Sequence, residues 1–299
     1  MAEGRFVMSQ PVGPTVARER LRQRLRELRE GSDLPTGAVA KRMDWSPSKL
    51  SRIEKGDVTV QPLEVRALLA LYGHADEHEA AELTGLARRS RTRQWYSKYR
   101  LRGDYQRFVA YENEASRIGV WQVLFVPGLL QTPEYARAIT ALATRRDPDD
   151  EYVRARVELR MDRQQAFRER LGRERPPELV AVIDESTLRR PVGGHAVMAR
   201  QLDHLLAVSK ETGYTIAVTP LDVVRHPGLT GTFELLEFAG TGDPDVLFVE
   251  AAANTDDLTL DRATTAEYGE VLTDLLTVAR VGEDALEMIR EARAAMVRG

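Results

Sequence analysis

The chain contains no cysteine among its 299 residues. It therefore has no disulfide framework and no thiol chemistry, which is typical of proteins in the reducing cytoplasm. It also has no apolar run that approaches the roughly 18–20 residues of a membrane-spanning helix. The opening residues, MAEGRFVMSQPVGP, lack the apolar core of a signal peptide. We therefore expect a cytoplasmic protein in which residues 1–14 form a flexible arm.

The chain has no large excess of either charge, since its formal net charge is only −3. The two signs are nevertheless segregated along the sequence. Residues 1–100 hold 19 Lys and Arg against 13 Asp and Glu, whereas residues 101–299 hold 24 against 33. A basic segment attracts phosphates, and an acidic one is repelled by them. The length and this asymmetry predict two domains with different partners.

Residues 34–56, LPTGAVAKRMDWSPSKLSRIEKG, predict a helix, a tight turn and a second helix. Ser46 has the chemistry of an N-cap, because its hydroxyl can accept a hydrogen bond from the free amides of the next turn. Pro47 suits the first helical position, where its missing N–H costs nothing. Leu50 and Ile53 are three residues apart and are expected to point inward. The pattern therefore predicts a helix-turn-helix.

The outward face of the second helix carries hydroxyls and cations, which is typical of a helix that reads the major groove of DNA. The predicted base-reading residues are Ser48, Lys49, Ser51 and Arg52. The predicted phosphate contacts, at helix N-termini and nearby cations, are Thr36, Arg42, Ser46 and Lys55. A generic helical hairpin with a solvated charged face is the alternative.

Amphipathic segments flank this hairpin. Residues 15–30 form a basic helix, and residues 61–72 form another whose core face is expected to include Leu63, Ala67, Leu68 and Leu71. Together they predict an all-α DNA-binding domain over 15–87. Residues 88–107 are rich in Arg and aromatic side chains and are expected to form a linker. Its aromatics either pack on the second domain or help to follow a nucleic-acid backbone.

Residues 108–299 are expected to form an α+β domain. The predicted strands lie near 178–184, 213–219, 231–239 and 245–251. The predicted helices lie near 108–118, 133–144, 148–172, 196–211, 262–280 and 283–297. Because short loops join the last three strands, we expect a mainly antiparallel sheet of about four strands.

Catalytic and metal motifs are weak in this sequence. His74, Glu77 and His78 match the H-x-x-E-H spacing of a zinc-protease class, but they straddle a predicted helix end and have no obvious third ligand. Asp184 and Glu185 are neighbours at a strand end, where side chains point to opposite faces. We therefore expect no enzyme activity, no metal and no cofactor.

The segment 226–261 has eight acidic residues and neither Lys nor Arg. One interpretation is a set of solvated strand edges, since charge protects edges from pairing. The others are a docking surface for a basic partner and an autoinhibitory contact with the basic front of the chain. The candidate partner surface comprises Glu234, Glu237, Asp243, Asp245, Asp256 and Asp257.

Two sets of motifs resemble known families. Residues 15–73, above all SPSKLSRIEKG, resemble the lambda-repressor/Xre type of helix-turn-helix, although Asp44 stands where that family more often has Gly. A turn residue at that position is expected to need a positive φ, which Asp tolerates better than most residues. The resemblance of the second domain to an actinobacterial regulator family is carried by VWQVLFVPGLLQTPEYARA, DESTLRRPVGG, VMARQLDHLL and GTFELLEF. That family includes WhiJ-like developmental regulators and antitoxin-like Xre regulators.

The resemblance implies a nucleoid-associated transcriptional regulator whose second domain binds a small partner protein or a small-molecule effector. We expect a homodimer that places helix 47–55 of each copy in the major groove of an inverted-repeat operator. One alternative is an antitoxin-like protein that mainly holds a small cognate protein and binds DNA for autoregulation. The other is an enzyme with a DNA-binding appendage.

Overall fold

The computed structural model describes residues 12–101, 103–224, 228, 231–239, 244–250 and 257–298. The chain divides into two compact units, the first ending at Lys98 and the second beginning at Tyr99. The division falls inside the predicted linker 88–107. Most of the predicted arm, residues 1–11, lies outside the described residues. No helix in the described part of the chain combines the length and apolarity needed to cross a bilayer.

All of the regular secondary structure in the described part of the first unit is helical. Its elements are α1 (Pro14–Gly31), α2 (Thr36–Arg42), α3 (Pro47–Lys55), α4 (Pro62–Leu71), α5 (Glu77–Arg89) and a short 3-10 helix at Trp95–Lys98. The helices enclose one hydrophobic core, which includes Leu21, Leu25, Val39, Leu50, Ile53, Val65, Leu68, Leu69 and Leu83. The helical character predicted for the N-terminal region is therefore confirmed.

The buried face of α4 differs from the predicted one. Leu63 is 81% exposed, and Ala67 is exposed as well. Leu68 is buried as predicted, and Val65 and Leu69 take the core positions expected of Leu63 and Ala67. Apolar residues lie on almost every side of this helix, so periodicity alone could not select the inward face.

The second unit combines a sheet with helices. Its helices are α6 (Gly103–Glu112), α7 (Pro133–Thr144), α8 (Glu151–Leu171), α9 (Glu185–Arg189), α10 (His195–Val208), α11 (Arg262–Val278) and α12 (Gly282–Arg298), with a 3-10 turn at Gly128–Leu130. Its strands are β1 (Arg117–Gln122), β2 (Glu178–Asp184), β3 (Tyr214–Thr219), β4 (Phe233–Glu237), β5 (Val246–Val249) and β6 (Asp257–Thr259). The α+β class is therefore confirmed.

The sheet is larger and more mixed than the sequence predicted. The described strands form a six-stranded sheet in the order β3-β2-β1-β4-β5-β6. The pairs β1–β2 and β2–β3 are parallel, whereas β1–β4, β4–β5 and β5–β6 are antiparallel. The prediction of a mainly antiparallel sheet of about four strands is wrong, because it lacked β1 and β6, and because β1 separates β2 from β4 and forms a parallel group with β2 and β3.

The central strand, β1, begins inside the predicted helix 108–118. Five of its six residues are buried, so it lacks the alternation that identifies a half-exposed strand. Successive side chains of β5 point to opposite faces of the sheet. Leu247 joins the cluster around Leu272 of α11, and the Phe248 ring stacks on Phe108 of α6 at 4.2 Å. The sheet is therefore covered by helices on both faces.

One glycine allows the close approach of α11. A Cβ atom added at Gly119 of β1 would lie 2.2 Å from Cδ2 of Leu272. That distance is far inside van der Waals contact, so a larger residue at this position would push the helix or its side chain away from the sheet. Gly119 thus lets β1 and α11 share the core of the second unit.

Candidate nucleic-acid interface

The helix α3 has the local structure that its sequence predicted. Ser46 occupies the N-cap position, and Pro47 is the first helical residue. Leu50 and Ile53 are almost fully buried in the core of the first unit. Gly56 ends the helix with φ at +82°, a left-handed conformation that glycine adopts without strain.

The hydroxyl of Ser46 differs from the prediction, because it makes no capping hydrogen bond to the backbone of α3. Its oxygen lies 3.5 Å from the Ser48 hydroxyl. The proline at the first helical position has no N–H to offer as a donor. The exposed Ser46 side chain lies at the N-terminus of α3, where the partial positive charge of the helix favours anions.

The turn between α2 and α3 is tight and uses a left-handed residue. Asp44 has φ at +55°, which is uncommon for a residue other than glycine but better tolerated by Asp and Asn. The Trp45 amide donates to the Ala40 carbonyl at 2.9 Å and closes the turn. The expectation that position 44 needs a positive φ is therefore confirmed.

The four predicted base-reading residues share α3 but differ in accessibility. Ser48 and Arg52 are exposed, whereas Lys49 and Ser51 are partly buried. Their assignment to base contacts stays a prediction. Arg52 is the longest donor on this exposed face, and its guanidinium has the fork geometry that matches the acceptor edge of guanine.

Lys49 is held by neighbours inside the first unit. Its Nζ atom lies 2.5 Å from Oε1 of Glu64 in α4 and 4.1 Å from the centre of the Trp45 ring. The other oxygen of Glu64 accepts a hydrogen bond from the Gln61 amide at 2.8 Å, as in a capping box. One carboxylate therefore both caps α4 and neutralises a cation of α3.

The predicted phosphate contacts are all exposed, as phosphate contacts must be. Thr36 is the first residue of α2, and Pro35 rather than Thr36 is its N-cap. Ser46 precedes α3, while Arg42 and Lys55 are exposed near the ends of α2 and α3. They lie on the two helices of the hairpin, but their roles also stay predictions.

A supporting ion pair was missed by the sequence analysis. Glu54 of α3 accepts from Arg29 of α1 at 2.6 Å, and both side chains are largely buried. A hydrogen bond to Glu54 raises the pKa of Arg29. The Glu54 carbonyl also accepts from Arg22 at 3.2 Å. Glu54 lies inside the SPSKLSRIEKG motif, but the motif does not indicate that Arg29 is its partner.

The zinc-like spacing at His74, Glu77 and His78 does not form a metal site. Nε2 of His74 lies 2.7 Å from Oε2 of Glu79, and the Oε1 atom of the same carboxylate accepts from Arg24 of α1. Asp76 caps α5 through the amides of His78 and Glu79. Among the described residues, no group of three or more His, Asp or Glu side chains is arranged to hold a metal ion.

The second unit contains a buried charged cluster that the sequence did not reveal. Arg163 of α8 makes a two-pronged ion pair with Glu112 of α6, and both side chains are buried. Glu234 of β4 is only 9% exposed, and burial followed by the charge of Glu112 raises its pKa to about 8. The perturbed carboxyl group is enclosed in the fold rather than open to a substrate.

The candidate acidic surface is only partly a surface. Glu234 does not belong to this surface, because its side chain is buried. Glu237 is paired with Arg117 across the β1–β4 ladder. Asp245 is partly buried, and burial raises its pKa. Asp257 is exposed, whereas Asp243 and Asp256 lie outside the described residues.

The buried inner face, the tight turn and the exposed polar face of α3 define the class: this chain has a DNA-binding helix-turn-helix domain. Residues 20–83 match the family described as Helix-turn-helix domain. Residues 105–291 match the family described as Domain of unknown function (DUF5753). Because that match spans more than half of the 299 residues, the chain belongs to the DUF5753 family.

Searches of the curated proteins and of the solved structures found no match. The helix-turn-helix match supports the predicted Xre-like character of the first unit. The resemblance of the second unit to WhiJ-like and antitoxin-like regulators stays a prediction, since the DUF5753 description names no function.

Proposed function

We propose that this protein is a sequence-specific transcriptional regulator that binds an inverted-repeat operator as a homodimer. The observation that carries the proposal is the two-sided character of α3, with Leu50 and Ile53 in the core and Ser48 and Arg52 exposed. A dimer would place two copies of α3 in successive major grooves, about 34 Å apart along the duplex. The charge of residues 1–100, with 19 basic and 13 acidic residues, favours contact with phosphates.

Within this proposal the exposed cations have different roles. Arg52 donates to the O6 and N7 atoms of a guanine, which makes it a determinant of sequence. Arg42 and Lys55 contact phosphates, as do the hydroxyls of Thr36 and Ser46, and these contacts fix the register without reading bases. The two roles lead to different results when a side chain is removed.

The test is selection of binding sites for the full chain from random duplex DNA at near-physiological salt. We expect enrichment of a palindromic site. Arg52→Ala should cost roughly 1–3 kcal/mol on that site and relax one base position in each half-site, whereas Lys55→Ala should weaken binding to all sequences alike. Arg26→Ala is the matched control, because Arg26 is an exposed arginine of α1 that pairs with Glu30.

Two results would contradict these assignments. An equal loss on every sequence with Arg52→Ala would make Arg52 a phosphate contact instead of a base reader. The selection could also enrich no site, with binding to all sequences lost alike as the salt concentration rises. The isolated protein would then have no sequence specificity, and only a complex with a partner could read DNA.

The second unit, in this proposal, binds the signal and catalyses no reaction. The signal is a small partner protein or a small molecule, and no cofactor is assigned. Asp257 with Glu237 and Asp245 remains the described part of the candidate partner surface. Such a signal controls the protein only if it binds the DNA-competent and incompetent states with different affinities.

A further inference from the structure

A pocket of about 660 Å³ lies within the second unit, between residues 99–101 and 103–105 and one side of α8. Pockets of roughly 300–1,000 Å³ are the size that small organic ligands occupy. Residues 99–101 and 103–105 belong to the basic and aromatic segment 88–107, which is predicted to be a linker. The structure therefore gives several of these side chains a shared location.

The wall formed by α8 follows helical spacing. Tyr152, Ala155, Arg156 and Leu159 are separated by three, four and seven residues, so they share one face of the helix. Leu159 is 1% exposed and provides an apolar floor. Tyr105 of α6 lines the pocket from the other side. The walls are thus aromatic and aliphatic apart from a few polar groups.

The guanidinium of Arg156 is fixed in this pocket by two aromatic rings. It lies 4.9 Å from the centre of the Tyr105 ring and 5.2 Å from that of Tyr152. Its Nε and Nη2 atoms donate to the Tyr152 hydroxyl at 3.1 and 2.8 Å. Within the described part of the chain, its Nη1 atom makes no hydrogen bond, so the arginine keeps a donor for a ligand.

Among the described lining residues two arginines outnumber one aspartate, while the carboxylates of Glu158 and Asp162, outside the lining, lie 3.4 and 2.7 Å from the Tyr99 hydroxyl. Arg100 is an exposed second arginine among the lining residues. Asp104, the acidic lining residue, is paired with Arg107 at 3.0 Å. The Tyr99 hydroxyl donates to Asp162 at 2.7 Å and is directed to α8. An anion is therefore the favoured occupant.

We infer that this pocket binds a small aromatic carboxylate, with the carboxylate on Arg156 and Arg100 and the ring between the tyrosine and leucine walls. Guanidinium groups pair with carboxylates through parallel hydrogen bonds, and offset rings pack well on tyrosine. A concave pocket of this volume suits a single small molecule better than a duplex, which needs an extended basic surface. The inference deepens, and rests on, the signal-binding role proposed for the second unit.

The test is calorimetric titration of the full chain, without DNA, with salicylate, 4-hydroxybenzoate and indole-3-acetate, each beside its neutral amide. We expect saturable binding of at least one acid and binding of its amide that is weaker by about tenfold or more. Arg156→Gln should weaken the acid by about tenfold or more. Arg154→Gln should leave the affinity within about twofold, because Arg154 is exposed on the same helix but lies two residues away on another side.

Arg100→Gln is a second test variant in case Arg156→Gln fails to fold, because Arg100 is exposed and packs less closely than Arg156. Circular dichroism of each variant verifies the fold, and Arg100→Gln should weaken the acid severalfold. Absence of saturable binding across the panel overturns the inference, as does equal binding of acid and amide. If duplex DNA displaces the acid, and if Arg156→Gln loses as much affinity for DNA as for the acid, this surface binds DNA instead. None of the ligand titrations depends on DNA binding, so this inference and α3 recognition can fail separately.

Discussion

Glu234 is a carboxyl group that the fold has removed from water. Burial, followed by the neighbouring charge of Glu112, raises its pKa to about 8. An ordinary glutamate in an unfolded chain has a pKa near 4.3. Between these values the folded protein holds a proton that the unfolded chain has released. The contribution of this site to the free energy of unfolding is therefore largest at low pH and falls as the pH rises towards 8.

We predict that Glu234→Gln flattens this part of the pH dependence. Glutamine stays neutral, so relative to the native protein the variant should gain at least about 1.4 kcal/mol between pH 5 and pH 9, the equivalent of one pKa unit. Urea unfolding at several pH values measures the difference. Glu237→Gln is the control on the same strand, where the carboxylate is paired with Arg117. Parallel stability curves for the native protein and Glu234→Gln would show that Glu234 is ionised in the fold.

Lys49 and Glu64 connect two elements, the recognition helix α3 and the start of α4. The pair holds the Lys49 ammonium against Trp45 and neutralises it in the free protein. A phosphate or base edge must compete with Glu64 for that cation. The pair is therefore expected to reduce binding to DNA of arbitrary sequence, which depends mainly on unpaired positive charge.

We predict that Glu64→Gln increases the affinity for non-specific duplex DNA by roughly two- to tenfold at low salt. The logarithmic salt slope should steepen by about one, because one more cation can release a counterion. Glutamine retains the acceptor of the capping box, so α4 should keep its start. Glu77→Gln, an exposed carboxylate of α5, is the charge-matched control. Fluorescence anisotropy across a salt series measures both quantities, and identical slopes for the two variants would refute a specific role for Glu64.

At the scale of the whole molecule, the two units have separate cores. The first core lies among α1 to α5, and the second lies between the mixed sheet and its helices. Units that each bury their own core can unfold in separate transitions. Mutations placed in one core should then affect one transition.

We predict that Gly119→Ala lowers the stability of the second unit by roughly 1–3 kcal/mol through overpacking against Leu272. Glu54→Ala should lower the stability of the first unit by a similar amount, since it leaves Arg29 partly buried without its carboxylate. Differential scanning calorimetry should show that each variant shifts a different transition. A common shift of one transition in both variants would mean that the units unfold together.

Local signals explain which elements were predictable. The predicted helix 133–144 and strand 178–184 have the observed bounds of α7 and β2. The helix begins after the Thr132 cap with proline at its first position, and the strand ends where Asp184 caps α9. In α4, by contrast, apolar residues on several sides left the buried face undecided. The edge strand β6 has three residues, too few for a period to be recognised.

Residues close together in sequence are enough to predict the helix-turn-helix, including the inward Leu50 and Ile53 and the left-handed residue at Asp44. Each of these features depends on neighbours within about one helical turn. Tertiary structure alone decided the central position of β1, the pairing of Lys49 with Glu64, and the burial of Glu234. These depend on residues distant in sequence, and whether a carboxylate is solvated or enclosed is decided by the packing around it.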